Sequence, residues 1–310
     1  MLLRLVQRTN TTENGIMTPL RQRFIDDLRI RNYSPKTIKA YVAGVVRFTR
    51  HFGRSPAEST VEHIRAFQIH LLQQQAAWSV YNQSVCALRF LYRTTLGRPD
   101  LGQLIPYGKI PTTLPAVLSP EEVLALLASA RPGRQRLLLQ TTYACGLRSN
   151  ELLHLQIPDI DSARRVLHIR QGKGRKDRLV PLSSHLLEEL RGYWRRYRPP
   201  TWLFPGNTPD RPLTDGSLHR ICQQIVARSG LSKPITMHTL RHSYATHMLE
   251  AGVDLFTLQN LLGHANLKTT TRYLHLSTQR LQQLPGLLER LMLPSVTTTA
   301  PESRIEEAHP

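Results

Sequence analysis

Acidic residues are scarce in this chain: 22 Asp plus Glu stand against 41 Lys plus Arg in 310 residues, a formal net charge of +19. Cysteine is scarcer still. Cys86, Cys145 and Cys222 are odd in number and far apart, which argues against a disulfide framework and for a reducing, cytoplasmic setting. No apolar run reaches the roughly 18 residues that a membrane span needs. The opening stretch MLLRLVQRTNTTENG has too short an apolar core, and no small-residue cleavage site, to read as a secretory signal. A P-loop pattern is missing, and so is a clustered Asp/Glu set of the kind that holds two catalytic metal ions. What remains is a globular composition, 40% hydrophobic and 20% charged, long enough for about two domains.

A strong positive charge calls for an anionic partner, and nucleic acid is the commonest for such a chain. A membrane-surface binder concentrates its charge on one amphipathic helix or beside a span. Here Arg and Lys run from Arg4 to Arg290 without a dominant block, which suits a protein that contacts many phosphates along a duplex.

Residues 18–98 read as a helical domain after an N-terminal extension, 1–17. Pro19 can start a first helix. Ser34-Pro35 forms a cap and first turn, with Ile38, Tyr41, Val42, Val45 and Phe48 at helical spacing behind it. Thr60 and Ser79 can open a third and a fourth helix, and Lys36, Lys39 and Arg47 lie on the basic side of the second. Residues 99–117 are rich in Pro and Gly without sustained periodicity and read as an extended, stiff linker.

A second domain spans 118–293. It opens at Ser119-Pro120-Glu121-Glu122, which has capping-box spacing. A helix over about 134–145 ends at Gly146, and another starts near Ser149. Segments 164–170 and 177–182 read as two strands around a Gly-Lys-Gly-Arg turn. Helices are expected at 184–197, 215–229, 237–251, 254–262 and 277–292. The segment 294–310 reads as a disordered tail. The fold class is thus mainly α with a small β-hairpin or sheet (α+β), a helical bundle preceding a larger helical domain.

The chemistry-bearing residues form a short series. His238 and Arg241, three apart near the start of a helix, can make a phosphate-sized anion site with the helix N-terminus; alone, a basic surface helix explains them as well. Zinc is a rival use of His238, His242 and His247, but Thr239 stands where a metalloprotease needs Glu, and Arg241 would repel a dication. Arg148 sits at the turn after Gly146, with Glu151 three residues on to orient it. Lys173 projects from a glycine-flanked hairpin tip that also carries Arg175 and Lys176. His264 follows Gly263, and Tyr273 comes nine residues later.

Taken in order, GLRSNEL, GKGRKDRLVPL, HTLRHSYATHMLEAG and LLGHANLKTTTRY resemble the tyrosine recombinase (phage integrase) family, over about residues 118–292. The stretch NYSPKTIKAYVAGVVRF resembles that family's core-binding (SAM-like) domain. With no room for an additional arm-binding domain, the layout resembles the simpler, Xer-like two-domain type.

The resemblance implies a site-specific recombinase that cleaves and rejoins DNA through a 3′-phosphotyrosine intermediate, in integration, excision or resolution. In it Tyr273 is the nucleophile, Arg148 and Arg241 neutralise the phosphate, and Lys173 is the general acid. His238 is a base or phosphate donor, His264 donates to the same phosphate, and Glu151 supports Arg148. Contacts to DNA are expected from Lys36, Lys39, Arg47, Arg175 and Lys176. No metal, cofactor or ATP is implied, since phosphotyrosine conserves the bond energy. The implied partners are double-stranded DNA, three further protomers in a tetramer on two sites (a monomer or weak dimer when free), and an accessory recombinase in some systems. The implied setting is the bacterial cytoplasm, at the nucleoid, with a role on a mobile element among the options. Helix 277–292 can dock on a neighbouring protomer or pack on its own. A type IB topoisomerase-like strand-passing enzyme and a catalytically idle DNA-binding regulator are the two alternatives.

Overall fold

A computed structural model describes residues 18–109, 115–170 and 177–274. The N-terminal extension, the hairpin tip 171–176 with Lys173, Arg175 and Lys176, the helix expected at 277–292 and the tail lie outside the described residues. The chain divides into two compact units, one ending at Thr112 and one beginning at Thr113. Among the described residues no helix is long and apolar enough to cross a membrane.

The first unit starts with α1 (Pro19–Ile30) and α2 (Pro35–Phe52). Both begin with Pro in the first turn behind a hydroxyl cap: Thr18 Oγ1 accepts from Arg21 N at 3.2 Å and Ser34 Oγ from Thr37 N at 3.2 Å. Two more helices follow, α3 (Val61–Gln73) and α4 (Trp78–Phe90), the latter running on into a π-turn over Leu91–Thr95. Helices α2 and α4 approach closely because Gly44 has no side chain; a Cβ there would lie 3.2 Å from Ala87 Cβ. Phe24, Leu28, Phe48, Phe67, Leu88 and Tyr92 fill the core.

Part of the segment read as linker is helical. Helix α5 (Pro99–Leu104) buries Leu101, and Ile105 just beyond it, in this first core. The chain stays fastened beyond that point, with Asn82 and Gly108 exchanging two hydrogen bonds of 2.9 and 3.1 Å. The Arg89 guanidinium lies 4.6 Å from the Tyr107 ring centroid. A helix of six residues is too short to show a periodic stripe, and Pro99 serves as its starter rather than a breaker. On α2, Lys36 and Lys39 are exposed, whereas Arg47 is half-buried and donates to Ser84 Oγ at 2.7 Å.

The second unit opens with α6 (Pro120–Ala128), where Ser119 N donates to Glu122 Oε2 at 2.8 Å and Glu122 N to Ser119 Oγ at 3.2 Å, a reciprocal cap. Next come α7 (Arg134–Cys145) and α8 (Ser149–Leu153). A three-stranded antiparallel sheet follows, β1 (Ile160–Asp161), β2 (Val166–Ile169) and β3 (Arg178–Pro181), in the order β1-β2-β3 with Ile160 opposite Leu167 and Leu167 opposite Val180. The hairpin strands are shorter than the sequence suggests, and β1 has too few residues to show alternation. Helices α9 (Ser184–Tyr197), α10 (Asp215–Ser229), α11 (Met237–Glu250) and α12 (Leu255–Leu262) lie where expected. A short α13 (Leu267–Thr271) was not legible in its polar sequence LKTTT.

Helix α11 is buried on almost every side, from Thr239 to Thr246, yet carries Arg241, His242, Ser243 and Thr246. Buried polar groups need partners. Ser243 Oγ has two, donating to Thr239 O at 3.0 Å and accepting from Leu118 N at 2.9 Å. A polar helix threaded through a core is poorly explained by packing alone, and it marks the site.

Gly146 ends α7 in the left-handed region, with φ of 59°. A Cβ there would run into the Tyr244 ring. Gly146→Ala therefore combines left-handed strain with overpacking and is expected to lower stability by about 2–4 kcal/mol. Urea unfolding at constant m-value measures it; a change below about 0.5 kcal/mol would contradict this packing.

Candidate active site

Two helix C-termini converge on α11. Each ends in a left-handed glycine, Gly146 after α7 and Gly263 after α12, with φ of 59° and 61°. The last carbonyls of a helix have no intrahelical partner and carry its negative dipole end, so they attract cations. At α12 three successive carbonyls each hold a different arginine. Leu261 O accepts from Arg178 Nε at 2.7 Å, Leu262 O from Arg241 Nη2 at 2.7 Å and Gly263 O from Arg148 Nη2 at 3.0 Å. Arg241 also donates through Nη1 to Gly146 O at 2.5 Å. It is only 1% exposed.

Glu151, on α8, sits among the same three guanidinium groups. Arg178 grips it in a fork, Nη1 to Oε1 at 2.9 Å and Nη2 to Oε2 at 2.7 Å. Arg148 donates to Oε1 through Nη1 at 2.7 Å and to Oε2 through its backbone N at 2.9 Å. Arg241 Nη1 lies 3.8 Å from Oε2. Burial pushes the Glu151 pKa up, but hydrogen bonds and charge from Arg178 and Arg148 outweigh it and hold the carboxyl at about 2. Burial and the nearby Arg148 bring Arg241 down to about 10, which still leaves it charged at neutral pH. Three cations against one carboxylate leave a local excess of positive charge, two units by count, for an incoming anion.

The remaining groups stand around Arg241. The α11 start is fixed by Thr236, whose Oγ1 accepts from Thr239 N at 3.2 Å. His264 Nε2 is 3.0 Å from Arg241 Nη2, and its Nδ1 is 2.9 Å from Thr270 Oγ1 on α13. The Tyr273 ring runs nearly parallel to that of His264, at 11° with centroids 6.2 Å apart. Tyr273 is 1% exposed, and its hydroxyl is 3.0 Å from His242 Nδ1. Burial raises the Tyr273 pKa; the positive charges of Arg241, Arg272 and Arg148 oppose that rise. The His238 ring lies 4.3 Å from that of His242, edge to face. Partial desolvation and the arginines Arg241, Arg148 and Arg272 lower the His238 pKa.

Arg148, Glu151, Arg241, His264 and Tyr273, picked out at separate places in the sequence, are therefore joined in one network, with His238 beside it. Lys36, Lys39 and Arg47 belong to the other compact unit. The histidine series does not converge: His242 faces Tyr273, whereas His247 Nδ1 is 2.7 Å from the Tyr143 hydroxyl. Among the described residues no three His, Cys, Asp or Glu side chains are placed to hold a metal ion.

Sequence reasoning missed Arg178, which stands at the base of the hairpin and makes the most complete contact with Glu151. Its only sequence signal is a cation in a strand next to Leu179 and Val180. His242 was visible only as a rival metal ligand, and Thr270 not at all. Cys145 is fully buried next to this turn, where burial pushes its thiol up to about 12.

Known proteins share this chain's sequence pattern and fold. Residues 116–280 match the phage integrase family, and residues 20–100 match the phage integrase N-terminal SAM-like domain. A putative integrase/recombinase of Sinorhizobium fredii is 42% identical over 297 residues, covering 95% of this chain and 96% of that protein. Tyrosine recombinase XerA of Thermococcus kodakarensis is 34% identical, covering 86% of this chain and 94% of its own length. Among solved structures, a lambda integrase dimer bound to a COC′ core site shares the fold, with a TM-score of 0.68 at 19% identity, over 86% of this chain and 97% of that one.

Proposed function

We propose, from the premise that this chain belongs to the phage integrase family of tyrosine recombinases, that the network around Arg241 is its DNA-cleaving centre. The chain is a site-specific DNA recombinase. The observation that carries the residue assignment is the link from Arg241 through His264 and Thr270 to the turn bearing Tyr273.

A phosphodiester repels nucleophiles, so its non-bridging oxygens must be neutralised before attack. Arg148 and Arg241 are rigid forks held from behind by Glu151 and by helix carbonyls, so their positive charge is fixed in place before substrate arrives. His264 shares that phosphate position. Tyr273 gives its phenolic proton to a base, the role open to His238, and attacks phosphorus to form a 3′-phosphotyrosine, while a 5′-hydroxyl leaves, taking its proton from Lys173. The phenolate is itself a good leaving group, so a second 5′-hydroxyl reverses the step on another strand. His238, with its lowered pKa, is neutral at pH 7 and available as a proton acceptor or phosphate partner. Four protomers on two duplex sites complete the exchange, with exposed Lys36 and Lys39, together with Arg47, Arg175 and Lys176, among the phosphate contacts.

The test is recovery of covalent protein–DNA adducts from cells expressing the chain, followed by sequencing of the attached DNA. One recurrent sequence is expected. DNA that is bound yet never covalently attached would favour the idle regulator. Relaxation of supercoils without joining of two duplexes would favour the strand-passing enzyme. Affinity for the recovered duplex is also expected to fall by a factor on the order of 10³ between 50 and 200 mM salt, as for a protein making several phosphate contacts. A nearly salt-independent affinity, measured by titration calorimetry or anisotropy, would contradict that reading of the charge.

A further inference from the structure

We infer that His242 positions the nucleophile by accepting the hydrogen bond of the Tyr273 hydroxyl, so that the attacking oxygen is tied to the helix that carries Arg241. This rests on the reading of Tyr273 as the nucleophile and adds a residue to it.

The turn that carries Tyr273 is held at two places. On one side His264 reaches Thr270 Oγ1 at 2.9 Å, and Tyr273 N donates to Thr270 O at 3.0 Å, which fixes the backbone. Core packing and the parallel His264 ring hold the plane of the phenol, but they do not set the hydrogen bonding of its hydroxyl. The other hold is on the side chain itself, His242 Nδ1 at 3.0 Å from the hydroxyl. A buried hydroxyl without a partner is costly, so this contact, beside the Arg241 guanidinium that also acts on the hydroxyl, helps to set where the oxygen rests. His242 directly follows Arg241 on α11, and both are buried there. The oxygen that attacks and the cation that receives the phosphate are therefore referenced to adjacent residues of one helix.

The surroundings keep His242 uncharged, which this sense of the hydrogen bond requires. His242 faces His238 and Arg241 from its own helix and Arg272 and Tyr273 from the turn after α13. Burial, with these positive or titratable neighbours, pushes the His242 pKa down to about 4. Its imidazole is thus neutral at physiological pH, and in the tautomer protonated at Nε2 its Nδ1 offers a lone pair to the phenolic proton. In the resting site that proton stays on Tyr273, whose own pKa burial keeps raised. His242 acts by direction, and no proton transfer to it is required.

The test uses the duplex recovered with wild-type adducts, nicked beside the cleavage point so that the covalent product accumulates. Single-turnover rates are followed against protein concentration, with thermal melts to confirm folding. For His242→Phe, which keeps ring volume without the acceptor, the saturating rate is expected to fall about tenfold to a hundredfold, with half-saturation unchanged. His242→Leu should behave the same way and serves if the Phe variant does not fold. His242→Asn, whose amide oxygen sits close to the Nδ1 position, should recover most of the rate. A merely structural role would not give a rate defect at unchanged affinity with rescue by Asn. Phe and Leu variants as fast as wild type would overturn the inference, and so would a folded Asn variant as slow as they are. Failure of the wild-type chain to form any adduct would instead overturn the reading of Tyr273 beneath it.

Discussion

Tyr273→Phe is expected to abolish covalent attachment to DNA, lowering its rate by more than about 10⁴-fold, while changing DNA affinity less than about threefold. The substitution removes one oxygen from a ring that is 1% exposed and leaves its packing beside His264 in place. It also leaves His242 Nδ1 without its partner, a loss of about 1–3 kcal/mol that does not threaten the fold. None of the groups that attract phosphate is altered: Arg148, Arg178 and Arg241 keep their anchors on α12 and Glu151. Binding and chemistry therefore separate. Gel shift and denaturing electrophoresis on the same reactions read both. A Phe variant that still forms adducts would remove Tyr273 from the reaction.

Glu151→Gln is expected to lower folding stability by about 3–5 kcal/mol, because it strips the counter-charge from three buried or half-buried guanidinium groups. The pH dependence gives a second reading. The Glu151 carboxyl is lowered from 4.5 to about 2, so it binds fewer protons in the folded chain than in the unfolded one. Its contribution, about 3 kcal/mol by linkage, is fully present above pH ~4.5 and is lost as pH falls toward 2. The glutamine variant lacks that component, so the stability gap between the two proteins should narrow as pH falls through this window. Urea titrations at pH 7, 4 and 3 measure the gap. A constant gap would mean that Glu151 is not the charged hub of the site. Arg148 also loses a support, so cleavage at pH 7 should slow on the order of 10²-fold.

Much of this architecture was legible in the sequence because its helices announce themselves. Thr18, Ser34 and Ser119 precede Pro, and Gly53, Gly146, Gly230 and Gly263 close helices in the left-handed region. The elements that escaped are the short ones. Helix α5 hid in a Pro-rich stretch, β1 is two residues long, and α13 is a polar pentapeptide; none spans enough residues to display a period. At the site, residues bearing the motif were legible by type and order, but their supports were not. Arg178 looks like any strand cation until the carbonyl of Leu261 and the carboxylate of Glu151 are seen around it. His242 reads as a spare imidazole beside Arg241 until the chain returns 31 residues later with Tyr273. Such contacts depend on where the backbone of α12 ends, a tertiary fact that no local pattern encodes.

The central claim, that Tyr273 carries the DNA, is tested most directly by mapping the adduct. Arg272 precedes Tyr273 and Arg280 is the next Lys or Arg after it, so trypsin releases Tyr-Leu-His-Leu-Ser-Thr-Gln-Arg with a single tyrosine. After nuclease digestion of the recovered adduct, tandem mass spectrometry should place a nucleotide phosphate on that tyrosine, linked through the 3′ end of the DNA. A nucleotide on any other side chain, or an adduct whose Tyr273 peptide is unmodified, would contradict the account.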